Sequence, residues 1–587
     1  MGRNSKFIAS VPGNREYFSL EKGSIKKKWK NRVPVALIYP NIYSLGMSNL
    51  GFQLVYDLLN QDDSIVAERV FFPESNDKPL SVESGRPLSD FPFLLFSVSF
   101  EQDYQNLIMM LELAGIDSLA SHRSNKSIDV TAQAAGGQPL IVAGGVATFM
   151  NPEPLAPFID LFIIGEAEPV LIPVMEQLMD GIGKNKNELL VKIASALPGC
   201  YVPAFYEVKH DTDGKLLTTL PDSNYPSLPD RIKKVILDSP GDYAAHSKIL
   251  SPSAEFSNLF MTELGRGCSR GCRFCAAGFI YRPPRLWKAQ SIINAIDSRP
   301  DGCSRIGLLG MEMAKPEDVS LIADYLANES CSLSFSSLRA DIISSSLTEL
   351  LGQSNLKSAA IAPDGGSERL RQVINKGITE DDVMAAVEIL AQKGIKNLKL
   401  YFMIGLPTET QADLDEMVAL IMKVKGKILD IGRTKGKISL LTLSINCFIP
   451  KPWTPFQFHP MEEVASLKQK LIFLRKTIGA QGNIRIKAES PEKAFSQATL
   501  SRGDRRVGRA LLQMVLHNCT WRQAFKKENI NPADYTTRQR DLNELFPWEI
   551  IDHGIDRKYL WSEYQKALQA KTTVPCDTSL CKRCGVC

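Results

Sequence analysis

Three cysteines within eight residues give the sequence its clearest chemical signal. Cys268, Cys272 and Cys275 have the spacing C-x3-C-x2-C, and no fourth cysteine or histidine lies close to them in the sequence. Thiolates are soft ligands that suit zinc or an iron–sulfur cluster. A closed structural site usually has four protein ligands, so three ligands predict a metal centre with one position open to a substrate. A zinc knuckle or a chance grouping is the alternative.

Four further cysteines lie near the end of the sequence. Cys576, Cys581, Cys584 and Cys587 have the spacing C-x4-C-x2-C-x2-C. This pattern predicts a closed metal site that holds either zinc or a second [4Fe–4S] cluster, and a disordered tail with free thiols is the alternative. Cysteines in tight groups indicate a reducing compartment, which predicts a cytoplasmic protein. Single cysteines in apolar surroundings, expected to be small buried hydrophobes, occur at positions 200, 303, 331, 447 and 519.

Length and composition indicate a soluble protein of several domains. The chain has 587 residues, of which 44% are hydrophobic and 23% charged. A net charge of +4 is small for this length, so nucleic-acid binding is possible but has no global charge signature. No signal peptide and no run of membrane-spanning length is present, so we expect no membrane partner.

Short apolar strands alternate with helical patterns in residues 33–180. This alternation predicts a doubly wound, Rossmann-like parallel sheet with a ligand at the carboxyl ends of its strands. A polar lead-in over 1–32 precedes it, and a turn-rich connector over 181–257 follows. The predicted strands are Val33–Tyr39, Glu68–Phe72, Phe93–Ser99 and Pro139–Ala143, with helices near 52–60, 103–114 and 168–179.

Residues 258–458 show six strand–helix units. Glycine or polar residues follow each strand, which predicts a partial (β/α)6 barrel of TIM type with its chemistry at the strand ends. Helical patterns dominate residues 459–570, which we interpret as a cover for the barrel, and the cysteine-rich tail occupies 571–587. The predicted strands are Leu259–Leu264, Ser304–Gly310, Cys331–Leu338, Ser358–Pro363, Asn397–Ile404 and Ile438–Asn446, with helices near 289–297, 316–327, 344–353, 379–393 and 410–424.

The first cysteine group, with Phe274 before its last cysteine, resembles the cluster loop of the radical S-adenosylmethionine (SAM) enzymes. The resemblance implies that Cys268, Cys272 and Cys275 hold a [4Fe–4S] cluster whose fourth iron binds SAM. An electron from that cluster would cleave SAM to a 5′-deoxyadenosyl radical. A reductant such as flavodoxin or ferredoxin is then an expected partner.

The resemblance also implies SAM contacts at the strand ends. Gly310 and Glu312 stand where the family has a Gly-Gly-Glu motif, although Leu309 replaces the first glycine. Arg339 is expected to pair with the SAM carboxylate, or else to form an ordinary ion pair.

The ribose and adenine contacts come from later strand ends. Asp364 and Ser367 are expected near the ribose, although Ser367 is also well placed to cap a helix. Gly405 lets the backbone approach the adenine, or marks only a turn. Phe274 is expected to stack near the adenine or to shield the cluster.

The first sheet resembles the cobalamin-binding domain that is fused to many radical SAM enzymes, in a bacterial branch of that group. The cobalamin-dependent methionine synthase motif places a cobalt-ligating histidine after the first strand, whereas residues 40–51 contain no histidine. Cobalamin is therefore a possible cofactor, and a cobalamin-like sheet kept only for packing is the alternative. The residues implied in binding are Gly46, Gly144, Gly145, Thr148, Gly165 and Glu166.

These resemblances predict a radical SAM enzyme that activates a C–H bond of an unknown substrate. Methyl transfer is the expected outcome if cobalamin binds, and rearrangement, oxidation or sulfur insertion stay open if it does not. Two rival functions are an RNA-modifying enzyme of the methylthiotransferase type and a non-catalytic regulator that binds a corrinoid or a metal.

Overall fold

The structure is a computed structural model that describes residues 14–75, 77–123, 138–310, 316–329, 331–335, 339–342 and 358–587. Its first part is built on a six-stranded sheet of order β2-β1-β3-β4-β5-β6, in which only β6 runs antiparallel to its neighbour. The order reverses beside β1, as in doubly wound folds, which confirms the predicted class. The strands are β1 Val33–Tyr39, β2 Ile65–Phe71, β3 Phe93–Ser97, β4 Leu140–Gly144, β5 Leu161–Ile163 and β6 Cys200–Tyr201.

Helices cover this sheet, so its strands are buried along almost their whole length instead of alternating between buried and exposed residues. All seven residues of β2 are buried, for example. The Asn49 side chain accepts a hydrogen bond from Phe52 N and starts the helix that follows β1. The helices of this part are Asn14–Leu20, Tyr43–Gly46, Leu50–Gln61, Tyr104–Leu113, Ala120–Arg123, Val146–Met150, Leu171–Asp180 and Lys186–Ala196.

The segment predicted as a connector has more structure than the sequence indicated. It contains the helix Lys186–Ala196 and β6, so the first sheet continues past residue 180. A two-stranded hairpin follows, formed by β7 (Tyr206–His210) and β8 (Leu216–Pro221), and then the short strand β9 (Ile232–Lys233).

Two parallel sheets form the next part of the chain. One has the order β10-β13-β14 and the other β15-β16-β17-β18, and within the described residues no strand pairing joins them into a closed barrel. Their strands are β10 Phe260–Glu263, β13 Arg305–Leu309, β14 Ser332–Phe335, β15 Ser358–Asp364, β16 Asn397–Ile404, β17 Leu440–Cys447 and β18 Ile484–Ala488.

Strand β18 lies in residues 459–570, where the sequence predicted mainly helices and no strand. It pairs in parallel with β17 and extends the second sheet by one strand. The helix expected near 344–353 lies outside the described residues. The helices around the two sheets are Ala277–Ile280, Ala289–Asp297, Pro316–Asn328, Glu368–Val373, Glu380–Gln392 and Gln411–Lys435.

The last part of the chain packs on the first sheet as well as on the β15–β18 sheet, so it covers more than the barrel that the sequence predicted it to cover. Trp548 and Phe525 belong to the same buried cluster as Val35 and Leu95 of the first sheet. The short strand β19 (Ile551–Asp552) pairs with β9. The helices of this part are Val464–Ile478, Pro491–Arg502, Arg505–His517, Trp521–Lys527, Ala533–Thr536 and Arg557–Leu568.

Candidate functional site: a cysteine loop beside an interdomain cavity

The cysteine loop leaves the carboxyl end of β10 and is closed at its base by a two-stranded ribbon. Strand β11 (Gly265–Arg266) pairs antiparallel with β12 (Arg285–Leu286). Between them, Gly267 has a φ of +87°, and a Cβ there would lie 2.8 Å from the carbonyl oxygen of Tyr281. Only glycine fits this crossing of the two loop arms.

The loop turns tightly around its thiols. Cys275 N donates to Cys272 O over 3.1 Å, and Gly278 N donates to Cys275 O over 3.1 Å. Burial, together with the neighbouring Cys272 and Cys268 thiolates, raises the pKa of the Cys275 thiol to about 12. Burial also raises the pKa of Cys272, although the positive charges of Lys376 and Arg339 oppose that shift. A metal would therefore displace protons from buried thiols next to two fixed cations.

The donor set fits an iron–sulfur cluster. Three thiols share one loop, and cations stand where several thiolates would place negative charge. Within the described ranges, no three cysteine, histidine or carboxylate side chains converge on one point, as the ligands of a single ion would. The cysteines of a [4Fe–4S] cluster each bind a different iron, so they do not need to converge in that way.

Arg273, which follows the second cysteine, anchors the loop and carries no signal in the sequence that would have singled it out. Its fully buried guanidinium donates to Val373 O over 2.9 Å and to Lys571 O over 2.7 Å. It also forms an ion pair with Glu563 over 3.1 Å. The loop is thus fixed simultaneously to the second sheet's first helix and to the C-terminal tail.

Two predicted SAM contacts lie beside Cys272. Arg339 forms a two-point ion pair with Asp341 at 2.9 and 3.1 Å, which is the alternative that the sequence left open. Asp364 has a φ of +60° and accepts a 2.6 Å hydrogen bond from Lys376 Nζ. Burial raises the pKa of Asp364, and the positive charge of Lys376 partly offsets this rise. A non-glycine residue in the left-handed region at a strand end is typical of functional sites.

The other residues predicted to contact SAM have separate local contacts. Ser367 accepts from Leu370 N over 3.0 Å and donates to Asp413 over 2.5 Å, so its hydroxyl caps a helix. Gly405 has a φ of +78°, and its N–H donates to Glu409 over 3.0 Å. Phe274 lies 6.0 Å from Lys376 Nζ, measured to the ring centroid. Glu312 lies outside the described residues.

A cavity of about 550 Å³ separates the first sheet from the base of the cysteine loop. Its volume is in the range of cofactor and small-molecule sites. The cavity opens at the carboxyl ends of β3, β4 and β5, the edge where doubly wound sheets bind ligands. No histidine is among the described residues that line it. Its opposing walls include Ser97, Gly144 and Ile163 from the sheet, and Glu263, Gly265 and Gly310 from the cysteine-loop side.

The residues predicted to bind a corrinoid divide into two groups. Gly144, Gly145, Gly165 and Glu166 line the cavity. The other two are packed elsewhere, because the Thr148 hydroxyl donates to Gly145 O and a Cβ on Gly46 would clash with Phe71.

Glu166 also joins the first sheet to the cysteine loop. It forms ion pairs with Arg285 over 2.6 Å and with Arg266 over 3.0 Å, the residues that form the loop's closing ribbon. Arg266 binds Glu168 and Glu263 as well. Burial disfavours the charge of Glu166, but the hydrogen bond from Arg285 and the charges of both arginines hold its pKa below the ordinary value. We call these five residues the carboxylate clamp.

Arg502 and the proline-rich residues 450–455 make buried contacts that hold parts of the chain together. Arg502 is fully buried and donates to Gln457 O over 3.0 Å, and Arg505 forms a 2.8 Å ion pair with Glu153 of the first part. Trp453, in the proline-rich segment, is buried against His553 with ring centroids 4.6 Å apart. No helix in the described part of the chain is long and apolar enough to cross a membrane.

Two family models match the chain over the regions just described. The model for the N-terminal region of radical SAM proteins matches residues 51–203, which include most of the first sheet. The model for the radical SAM superfamily matches residues 262–421, which include the cysteine loop. The chain belongs to the radical SAM superfamily, whose members bind SAM and a [4Fe–4S] cluster.

Similar proteins were found in sequence and in structure. An uncharacterized protein of Methanocaldococcus jannaschii is 28% identical over 481 residues, which cover 81% of this chain and 90% of that one. The radical SAM methyltransferase TsrM from Kitasatospora setae matches with 12% identity, coverage of 72% of this chain and 75% of that chain, and a TM-score of 0.46. The cobalamin-dependent radical enzyme OxsB, with aqua-cobalamin bound, matches with 15% identity, coverage of 66% and 52%, and a TM-score of 0.45.

Proposed function

We propose that the protein is a radical SAM enzyme whose cluster ligands are Cys268, Cys272 and Cys275 and whose interdomain cavity binds a corrinoid. When bound, the cluster and SAM supply a 5′-deoxyadenosyl radical that removes a hydrogen atom from an unreactive C–H bond of the substrate. A corrinoid in the cavity would supply a methyl group to the same carbon. The proposed reaction is therefore a methyl transfer to carbon.

The observation that supports this proposal is the position of the cavity. Gly144 and Gly165 at the strand ends face Gly265 and Gly310 at the base of the cysteine loop across one continuous space. A ligand of the first sheet would lie next to the loop that holds the cluster. A sheet retained only for packing would not require such a space.

The protein's own residues position the loop and adjust its charge. Arg273 anchors the middle of the loop, and the carboxylate clamp holds the ribbon at its base. Lys376 and Arg339 stabilise thiolates at Cys272. Although burial disfavours the charge of Lys376, the carboxylate of Asp364 and the Cys272 thiolate raise its pKa, which keeps it cationic at neutral pH.

Corrinoid binding is tested with hydroxocobalamin and a variant that fills the cavity. Val55 lines the cavity and Gln61 is exposed on the same helix. We expect Val55→Trp to lose binding in equilibrium dialysis at least tenfold and Gln61→Trp to keep it. Equal binding by both variants, or none by the wild-type protein, would reject the corrinoid.

The reaction class is tested separately by anaerobic reconstitution with SAM and dithionite as the reductant, with and without methylcobalamin. We expect 5′-deoxyadenosine in both cases, and methylated products in candidate mixtures only with methylcobalamin. Absence of 5′-deoxyadenosine from protein that contains the cluster would reject the enzyme assignment.

A further inference from the structure

We propose that Cys576, Cys581, Cys584 and Cys587 hold a second iron–sulfur cluster, built against the outer side of the catalytic cysteine loop, and that it passes electrons to that loop. The metal site is independent of the proposed function, whereas its role as an electron relay rests on it.

The tail is bonded to the catalytic loop through the backbone. Cys576 N donates to Ser269 O over 2.7 Å, so the first tail cysteine touches the residue that follows Cys268. Asn375 adds a bridge, because its side-chain oxygen accepts from Thr573 N over 2.8 Å and its Nδ2 donates to Gly271 O over 3.3 Å. The stretch between the first two catalytic cysteines is thus the wall on which the tail lies.

The residues that lead into the tail, 571–573, are also bonded to the catalytic loop and to its partner Glu563. Arg273, between the second and third catalytic cysteines, donates to Lys571 O over 2.7 Å. Its partner Glu563 accepts from the Thr573 hydroxyl over 2.8 Å. One buried ion pair therefore holds the catalytic loop and the chain that leads to Cys576 together.

Three of the four tail cysteines line one small cleft with basic walls. Cys576, Cys581 and Cys584 line it together with Ser269 and Arg270 of the catalytic loop. Cys584 is only 2% exposed, and its carbonyl accepts from Asp556 N over 2.8 Å.

Cations face these thiols. Arg583 Nε donates to the sulfur of Cys581 over 3.2 Å, and Arg282 and Arg270 line the same cleft. Four thiolates and an iron–sulfur cluster carry net negative charge, which these guanidinium groups would offset. A tail of free thiols would need no such surroundings.

The spacing and the surroundings of the tail cysteines favour a cluster over zinc. After Cys576, the steps Cys581–Cys584 and Cys584–Cys587 repeat C-x2-C, as at the start of ferredoxin-type runs. The tail also lies against the loop to which the family assigns a [4Fe–4S] cluster.

The outer side of the tail is open to a donor protein. Leu580 and Val574 are 79% and 73% exposed, and Lys582 is exposed beside them. A protein donor of the flavodoxin or ferredoxin class would give one electron to the tail cluster, which would give the same electron to the catalytic site. No bond and no proton changes in this step.

Iron counts and Mössbauer spectra of the anaerobically reconstituted full chain test the metal site. We expect about eight irons in the wild type, and about four both in the Cys268/Cys272/Cys275→Ala variant and in the variant with all four tail cysteines changed to Ser. The serine changes keep the backbone bond to Ser269. Cys519→Ser is the matched control and should keep about eight.

Three outcomes would overturn the second cluster. About four irons and one zinc in the wild type, with the zinc lost in the tail variant, would show a zinc site. About four irons, no zinc and no change in the tail variant would show a tail that binds no metal. Loss of all iron in the catalytic triple variant would also contradict a tail cluster. Melting curves of each variant show whether it is folded. The iron content of a chain ended after Val574, which lacks all four tail cysteines, gives a second and independent count.

The relay is tested by the rate at which the catalytic cluster is reduced. In the tail variant we expect reduction by reduced flavodoxin to slow at least tenfold, and reduction by dithionite to stay within twofold. An unchanged flavodoxin rate would reject the relay and leave the metal site standing. Failure of the proposed function would appear differently, as a wild-type protein that contains both clusters but does not cleave SAM.

Discussion

Single residues in the cysteine loop show how far chemistry can be read from residue types. The spacing of Cys268, Cys272 and Cys275 predicted a metal loop, and the family comparison supports the same loop. Arg273 was not predicted, because its partners Val373, Glu563 and Lys571 lie about 100 to 300 residues away in the sequence. An arginine beside a cysteine has no pattern that distinguishes a buried anchor from a surface charge.

The first prediction at this scale concerns the three thiols. We expect Cys268→Ala, Cys272→Ala and Cys275→Ala each to abolish SAM cleavage, because two thiolates do not hold a cluster with one open iron. The measurement is 5′-deoxyadenosine by mass spectrometry, together with the iron content of each variant. Cys303→Ala, which changes a cysteine outside both groups, should keep both within about twofold. Near-normal cleavage by any of the three loop variants would contradict the ligand assignment.

The second prediction concerns the cobalt of a bound corrinoid. No histidine occurs in residues 40–51 or among the described residues that line the cavity. We therefore expect no protein imidazole on cobalt. The electron paramagnetic resonance spectrum of the Co(II) form should lack nitrogen splitting from a protein ligand. If such splitting is present and a single His→Ala change removes it, the corrinoid is not bound in this cavity.

At the scale of strands and helices, apolar runs located many of the elements, and the failure to predict β18 has a definite cause. Strand β1 has the predicted bounds, and β16 does as well. Strand β18 was missed because it is short and lies between amphipathic helices. Its Ile-Arg-Ile-Lys-Ala alternation has the period of a strand, but the surrounding helical period dominated the interpretation.

The crossing of the loop arms at Gly267 gives a prediction at this scale. Gly267→Ala combines a positive φ with a Cβ 2.8 Å from Tyr281 O and 3.0 Å from Pro284 Cα, so the ribbon must open. We expect the reconstituted variant to hold less than half of the wild-type iron at this loop. Gly302→Ala also has a positive φ, +78°, but its Cβ meets nothing within 4 Å, so it should lose only about 1 kcal/mol of stability and no iron. Equal iron in both variants would show that the crossing is not needed.

The carboxylate clamp gives a prediction about stability and pH. Glu166→Gln leaves Arg285 without its buried counter-charge and removes one of the three carboxylates around Arg266, which should cost about 3–5 kcal/mol in unfolding free energy. The folded pKa of Glu166 is depressed, so its contribution is present above the unfolded pKa of about 4.3 and is lost as pH falls through the lower folded value.

Urea unfolding at pH 7 and at pH 3 measures this effect. The difference between wild type and Glu166→Gln should be large at pH 7 and should shrink at pH 3. Glu207→Gln is the control, because Glu207 pairs with Lys209 on the surface with both side chains more than half exposed. Its effect should be within about 1 kcal/mol at either pH. A pH-independent difference for Glu166→Gln would contradict the ionic origin of the clamp.

For the whole molecule, the sequence predicted the parts but not how they join. The clamp joins residues 98 and 119 positions apart in the chain, as in the pairs Arg266–Glu168 and Arg285–Glu166. Asn151 donates to Ser501 O and Gly503 O, some 350 positions away. Hydrophobic periodicity reports which face of an element is buried and carries no information on the partner that buries it.

The last prediction follows from the core that the first sheet shares with the C-terminal helices. Large side chains from the C-terminal part are buried in the same cluster as strands β1 to β5, and each contributes about 1.5–3 kcal/mol. Since a domain is stable by only about 5–15 kcal/mol, their joint loss is comparable to the total. They include Leu511, Phe525, Phe546, Trp548, Leu560 and Tyr564.

We therefore expect a chain ended after His459 to lack cooperative thermal unfolding and to lose amide protection in β1 and β3, although neither strand is removed. A chain ended after Val574 keeps all of these side chains and should retain protection in both strands. Hydrogen exchange measured by mass spectrometry on the two truncated chains and the full chain decides the matter. Protected β1 and β3 amides in the shorter chain would show that the first sheet folds without its C-terminal cover, in which case the shared core is an interface between independent domains.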